Sequence, residues 1–228
     1  MLVKIIDKII SLVSRLNSNL YISYLRKKGC YIGENTYIYS KNALIDISRP
    51  TLVSIGANCY INQYFTLLTH DWVCKVFLNM GKPFLNSSGK VTIGNNVSFG
   101  MHVTVLKGVT IGDNCFIAAG SVVTKDIPAG SVAGGVPCRV LTTIDEYFKK
   151  RMSEAEEEAK EYIHSLKHPK LLDMKEEFIW FISGSELGSY PQLNNIIKKQ
   201  LGEGYESYAK YHKAKYSSFE DFVRSANR

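Results

Sequence analysis

The chain has 228 residues, enough for one substantial domain with an appendage or for two small domains, and its 45% hydrophobic content is ordinary for a globular protein. A formal charge of +7 and a pI near 9.0 suit an anionic ligand or surface, but no helix-turn-helix, RRM or zinc-finger pattern makes nucleic acid the partner. Five cysteines without a CxxC spacing exclude a zinc or redox motif, and an odd count without a secretory signal points to a reducing, cytoplasmic setting.

Residues 1–28 are predicted to be helical. Leu2, Val3, Ile5, Ile6, Ile9, Ile10, Leu12, Val13 and Leu16 form a wide apolar face opposite Lys4, Asp7, Lys8, Ser11 and Arg15. Those charges interrupt the run too often for a membrane span or a signal peptide. Two readings stand: a cap on the end of the next domain, which is favoured, or a membrane-surface contact through residues 1–16.

From Tyr31 the pattern changes. Residues 93–128 divide into sixes beginning at Ile93, Phe99, Val105, Ile111, Ile117 and Val123, each opened by a large apolar residue, with a small or β-branched residue mostly fifth. Gly or Asn recurs at the second and fourth places, where φ > 0 costs little. This is neither helical spacing nor hairpin alternation; it predicts short strands turning at regular corners, a β-solenoid with the first and fifth residues inside. Cys59 and Cys115 take the fifth, inward place. The repeat begins at Tyr31, degenerates around Ser48-Arg49-Pro50, returns at Ile55, and fails from Val73 to Val91, a segment rich in Gly, Pro, Asn and Ser. Residues 73–91 are therefore an excursion, and loops on a rigid scaffold are where sites are built.

Thr143-Ile144-Asp145-Glu146 has capping-box spacing and opens a helix to about Lys167, before Pro169. Residues 170–228 form a mostly helical module with helices expected over Leu171–Ile182, Gln192–Leu201 and Ser218–Ser225. Its aromatics are core, and it carries no chemical motif. The organisation is thus a helical cap over 1–28, a solenoid over 29–142 and a helical region over 143–228.

The hexads, together with Ser121-Val122-Val123-Thr124-Lys125-Asp126-Ile127-Pro128 and Gly134-Gly135-Val136-Pro137-Cys138-Arg139-Val140, resemble the left-handed parallel β-helix acyltransferases, in particular acetyltransferases of the maltose, galactoside and capsular-sugar type. The resemblance spans roughly residues 30–150. It implies a mostly β fold, a left-handed parallel β-helix with an N-terminal amphipathic helix and a C-terminal helical extension. It also implies acetyl-CoA as co-substrate, no metal, and a homotrimer whose sites lie between subunits.

Acyl transfer to a hydroxyl needs a base near neutrality, which histidine supplies. His70 takes the fourth, outward place of its hexad immediately before the excursion, and the resemblance makes it the general base. Asp71 is the candidate to orient it. His102 holds the same outward place without an adjoining loop and is the rival. Asn62 and Trp72 are candidates for the acceptor. For the co-substrate, Lys125 and Arg139 offer charge-assisted donors to phosphate. The resemblance places Gly100, Met101, Ala118, Ala119 and Thr124 along the cofactor groove, with a backbone N–H near Met101 as oxyanion donor. The function expected is O-acetylation of a sugar hydroxyl by direct transfer, of capsule, lipopolysaccharide or another polysaccharide. The alternatives are an antibiotic O-acetyltransferase and a non-catalytic solenoid scaffold. A zinc lyase of the same fold is not expected, because it needs three histidines where the solenoid has His70 and His102.

Overall fold

The computed structural model describes residues 10–227 and divides into two compact units, residues 1–148 and 149–228. The expected apolar residues Leu2 to Ile9 lie outside the described residues. Residues 10–14 are helical, but the single helix expected over 1–28 is interrupted at 15–17. Asn17 there starts a new helix, α1 (Ser18–Lys28), by accepting from the Asn19 N–H at 2.8 Å, and Gly29 at φ 108° ends it.

Helix α1 covers the first coil of a three-sided tower. Tyr21, Ile22, Tyr24 and Leu25 are buried and continuous with the tower's core. The exposed backbone edge of a first coil would otherwise lack partners. Arg26 donates to the carbonyls of Ile32 and Gly33, Arg15 to that of Ala43, and Ser18 Oγ accepts the Ile38 N–H.

The tower has three parallel faces. The first holds β1 (Tyr31–Ile32), β4 (Val53–Ile55), β7 (Val91–Ile93) and β10 (Thr110–Ile111). The second holds β2 (Tyr37–Ile38), β5 (Tyr60–Ile61), β8 (Ser98–Phe99), β11 (Phe116–Ile117) and β13 (Ser131–Gly134), and the third holds β3 (Leu44–Ile45), β6 (Thr66–Leu67), β9 (Thr104–Val105) and β12 (Val122–Val123). First and fifth hexad residues point inward: Ile93, Val97, Phe99, Val103, Val105, Val109, Ile111, Cys115 and Ile117 are all buried. All five cysteines are free and buried, and burial raises the thiol pKa of Cys59 and Cys115.

The two recurrent small-residue places serve different physical ends. The fourth place turns the corner at positive φ, in Asn96 (55°), His102 (58°), Gly108 (81°), Asn114 (57°) and Gly120 (72°). The second place does not; there the need is close approach, since a Cβ on Gly100 would lie 2.5 Å from the backbone nitrogen of Ala119 one coil on. Because Ile117 is fully buried in the packed stack, Ile117→Ala is expected to cost about 2–5 kcal/mol. Denaturant unfolding that left the midpoint unchanged would contradict the register.

The tower closes on an antiparallel strand absent from the sequence reading, β14 (Arg139–Thr143), which pairs with β13. Thr143 and Glu146 then form the expected capping box of α3 (Ile144–Ser165), each side chain receiving the other's N–H.

In the second unit, Leu171–Ile182 departs from expectation: it forms two 3-10 turns, Leu171–Met174 and Phe178–Trp180. Helices Pro191–Leu201 and Phe219–Ala226 occur as expected, and Tyr205–Tyr211 forms a further one. Phe178, Phe181, Phe219 and Phe222 are buried core, whereas Tyr211 is exposed.

Candidate active site

Two adjacent coils of the third face build the site. Strands β3 and β6 pair with Ile45 opposite Leu67. The residues that follow them, Asp46 and then Thr69-His70, therefore meet at the corner between the third and first faces. Asp46 is buried beneath that corner and collects a dense set of donors. Its Oδ2 accepts from Thr69 Oγ1 at 2.6 Å and Thr69 N at 3.0 Å and faces His70 Nδ1 at 2.6 Å. Its Oδ1 accepts from Ser48 N at 2.9 Å and Ser48 Oγ at 2.7 Å.

Burial opposes the charge on Asp46, but the hydrogen bonds from Thr69 and Ser48 outweigh it and hold the carboxyl well below the ordinary carboxylate range. An ionised carboxylate only accepts, so Nδ1 of His70 carries the proton and donates it to Asp46. The lone pair is left on Nε2. The imidazole is 20% exposed, enough for a reactant to reach it.

Asp71 does something else. Sequence adjacency made it the candidate to orient His70, but successive residues at an extended corner project to different sides. Its carboxylate pairs with Lys107 Nζ at 2.7 Å and accepts from Ser87 Oγ at 2.9 Å, and the Lys107 hydrogen bond, with those from Val73 N–H and Ser87, holds its pKa at about 2. The carboxylate on His70 is that of Asp46.

The excursion is a folded flap. It contains the short helix α2 (Cys74–Asn79) and returns antiparallel to its own start, with a bridge between His70 and Ser88 and hydrogen bonds from Asp71 N to Ser87 O and Gly89 N to Thr69 O. Arg49 Nη2 donates to Asn86 Oδ1 at 2.7 Å and ties the flap to the neighbouring coil. Between flap and tower lies a cavity of about 280 Å³, open to His70, Asp71, Arg49, Trp72 and Phe84 among others. The indole of Trp72 meets the His70 ring edge-on at 6.0 Å. Lys107→Ala removes the pair with Asp71 and is therefore expected to speed limited proteolysis within residues 73–88 by roughly two- to fivefold. Unchanged cleavage there would show that Lys107 does not tie the flap down.

The remaining expected residues fall elsewhere. Gly100, Met101, Ala118 and Ala119 form a column at the corner between second and third faces, with Asn62 one coil earlier. The Met101 and Ala119 N–H groups have no hydrogen-bond acceptor among the described residues. Thr124 and Lys125 are exposed at the third-to-first corner, and Arg139 is exposed on β14 with one N–H on the Cys138 carbonyl. His102 sits in the Met101 column at φ 58°, stacked on Tyr64 with ring centroids 4.4 Å apart, and shares no cavity with His70. Within one chain, His70 and Met101 thus occupy opposite edges of the third face. Among the described residues no group of His, Cys, Asp and Glu could hold a metal ion, and no helix is long and apolar enough to cross a membrane.

Sequence reasoning missed Asp46, Arg49 and Phe84. A single Asp flanked by Ile45 and Ile47 was the available signal for the first.

The hexad repeat has counterparts in known proteins. The family model for bacterial transferase hexapeptide (six repeats) matches residues 90–125. Galactoside O-acetyltransferase of Escherichia coli (strain K12) is 42% identical over 136 residues, covering 57% of this chain, and the match spans 63% of that protein's length. A putative acetyltransferase of Bacillus subtilis (strain 168), YvoF, is 34% identical over 137 residues, covering 60% of this chain and 72% of its own. Among solved structures, a galactoside acetyltransferase in complex with coenzyme A is similar, at 30% identity and TM-score 0.49, covering 64% of this chain and 82% of that one. A maltose O-acetyltransferase from Clostridium difficile 630 gives 26% identity and TM-score 0.44 over 60% of this chain and 83% of its own. With the hexads, the coil geometry and a relative matched over most of its length, the chain belongs to the bacterial hexapeptide transferase family.

Proposed function

We propose that the protein is an acetyl-CoA-dependent O-acetyltransferase acting on a sugar hydroxyl, on a left-handed coil, by direct transfer with His70 as general base. The observation that carries this is the Asp46–His70 pair at the mouth of a cavity. A histidine held by an ionised carboxylate keeps a basic Nε2 aimed in a fixed direction, the same logic that orients other catalytic histidines. The names of the relatives, galactoside O-acetyltransferase and a putative acetyltransferase, agree with the chemistry.

Acetyl-CoA, when bound, supplies the acyl group as a thioester. Its groove fits the column of Gly100, Met101, Ala118 and Ala119: the side chains are small apart from Met101, and two backbone N–H groups lack acceptors among the described residues. Lys125 and Arg139 are exposed cations suited to its phosphates. Nε2 of His70 accepts the proton of the acceptor hydroxyl as its oxygen bonds the acyl carbon, and returns that proton to the departing sulfur. The Met101 N–H is suited to the negative charge that develops on the carbonyl oxygen. Because this column and His70 occupy opposite edges of one face, a homotrimer would complete each site by bringing the Met101 edge of one copy to the His70 corner of the next.

The test is CoA release from acetyl-CoA by purified protein against a panel of sugars, with the product identified by mass. Sugar-dependent release of CoA with an added acetyl ester is expected. A protein that binds neither acetyl-CoA nor any sugar would instead be a scaffold.

A further inference from the structure

Besides His70, the charged side chains that line the cavity are Arg49 and Asp71. The two carboxylates near the cavity are already engaged: Asp71 pairs with Lys107, and Asp46 lies buried against His70. Arg49, which lines the same cavity, has one hydrogen bond among the described residues, to Asn86 Oδ1. A guanidinium has five N–H donors in a planar fork that matches a carboxylate or phosphate. One contact to a neutral amide fixes the group without neutralising it. On the same walls Trp72 and Phe84 are 65% and 62% exposed, flat apolar surfaces of the kind that cover a sugar ring's C–H face.

We infer that the acceptor is an acidic sugar, and that Arg49 binds its carboxylate or phosphate beside the hydroxyl that His70 deprotonates. This rests on the acetyltransferase reading above. The phosphates of coenzyme A are not the ligand of Arg49. The cavity holds His70, so the thioester must be there, and the pantetheine arm keeps those phosphates away from it. Asn86 is a positioning residue that sets the guanidinium, and the aromatic pair supplies affinity without charge discrimination.

The experiment compares each of two neutral monosaccharides, glucose and galactose, with its uronic acid and its 1-phosphate. Acceptor-dependent CoA release and saturation-transfer NMR binding are measured on the full chain. The wild-type protein is expected to favour at least one anionic form over the neutral parent by roughly tenfold or more in kcat/KM, mainly through KM, as a bidentate ion pair would give. The arm that wins distinguishes carboxylate from phosphate. In Arg49→Gln the preference is expected to fall to within about twofold, and Arg49→Lys, which keeps charge without the fork, to lie between. Equal use of neutral and anionic sugars by the wild type, a readout that needs no variant, overturns the inference and leaves the acetyltransferase reading intact. A preference that survives Arg49→Gln also overturns it. Arg49-dependent binding of an anionic sugar without any CoA release upholds the anion site and removes acetyl transfer. Neither binding nor release with any sugar removes both.

Discussion

His70→Ala is expected to lower kcat by about 10²–10⁴-fold, the usual worth of a positioned general base, while acetyl-CoA affinity by calorimetry stays near wild type. The split follows from geometry. His70 lies at the third-to-first corner, whereas the column proposed for the pantetheine arm runs along the other edge of that face, so removing the imidazole takes away the proposed proton acceptor and no part of that column. An interaction made only as the proton moves is lost from kcat and kcat/KM alike. His102→Ala is the control: its ring stacks on Tyr64 outside the cavity, and most activity should remain. If His102→Ala is the inactive variant and His70→Ala is not, the base has been assigned to the wrong corner.

Asp46→Asn is expected to cost nearly as much, about 10²–10⁴-fold in kcat, although no atom of Asp46 touches a reactant. The carboxylate forces the proton onto Nδ1. An amide can present its NH₂ there instead, which favours an unprotonated Nδ1 and puts the proton on Nε2, where the lone pair is needed. Asp46→Glu, which keeps the charge at a longer reach, should recover more activity than Asn. The carboxyl also ties folding to pH. Its folded pKa is depressed, so its contribution is complete above the unfolded value of about 3.9 and is lost as pH falls through the lower folded value. The Tm gap between wild type and Asp46→Asn should therefore narrow as pH is lowered from 7 into the acid range. A constant gap would mean that the charge on Asp46 adds nothing to stability.

Most of the tower was legible because its rule is local. Two buried residues in every six, the first and the fifth, with Asn or Gly able to take positive φ at the corner, can be counted along the chain, and Ile93 through Ile117 obey it. Asn17 was harder: a capping Asn within a continuous apolar stripe breaks a helix that periodicity alone carries straight through. The candidate histidine was legible for a similar reason, since His70 stands where the repeat fails. Its carboxylate was not. In the regular coils partners on the third face are 18 residues apart, Thr104 opposite Val122, and that count would have paired residues reliably. Around the site the count breaks, with Leu44 opposite Thr66 at 22 and Thr66 opposite Thr104 at 38. Insertions at Arg49-Pro50 and in the flap are what open the cavity, and they also erase the register from which Asp46 could have been matched to His70. Arg49 and Phe84 come together only once the flap is folded, through contacts such as Arg49–Asn86 that no spacing encodes.

The most direct measurement is the tautomer of His70, read from ¹⁵N chemical shifts of the imidazole at a pH where the ring is neutral. A proton on Nδ1 and a bare Nε2 are expected in the wild-type protein, shifting toward the opposite tautomer in Asp46→Asn. A wild-type ring protonated on Nε2 is the contradicting result, because that nitrogen would then have no lone pair to accept a proton.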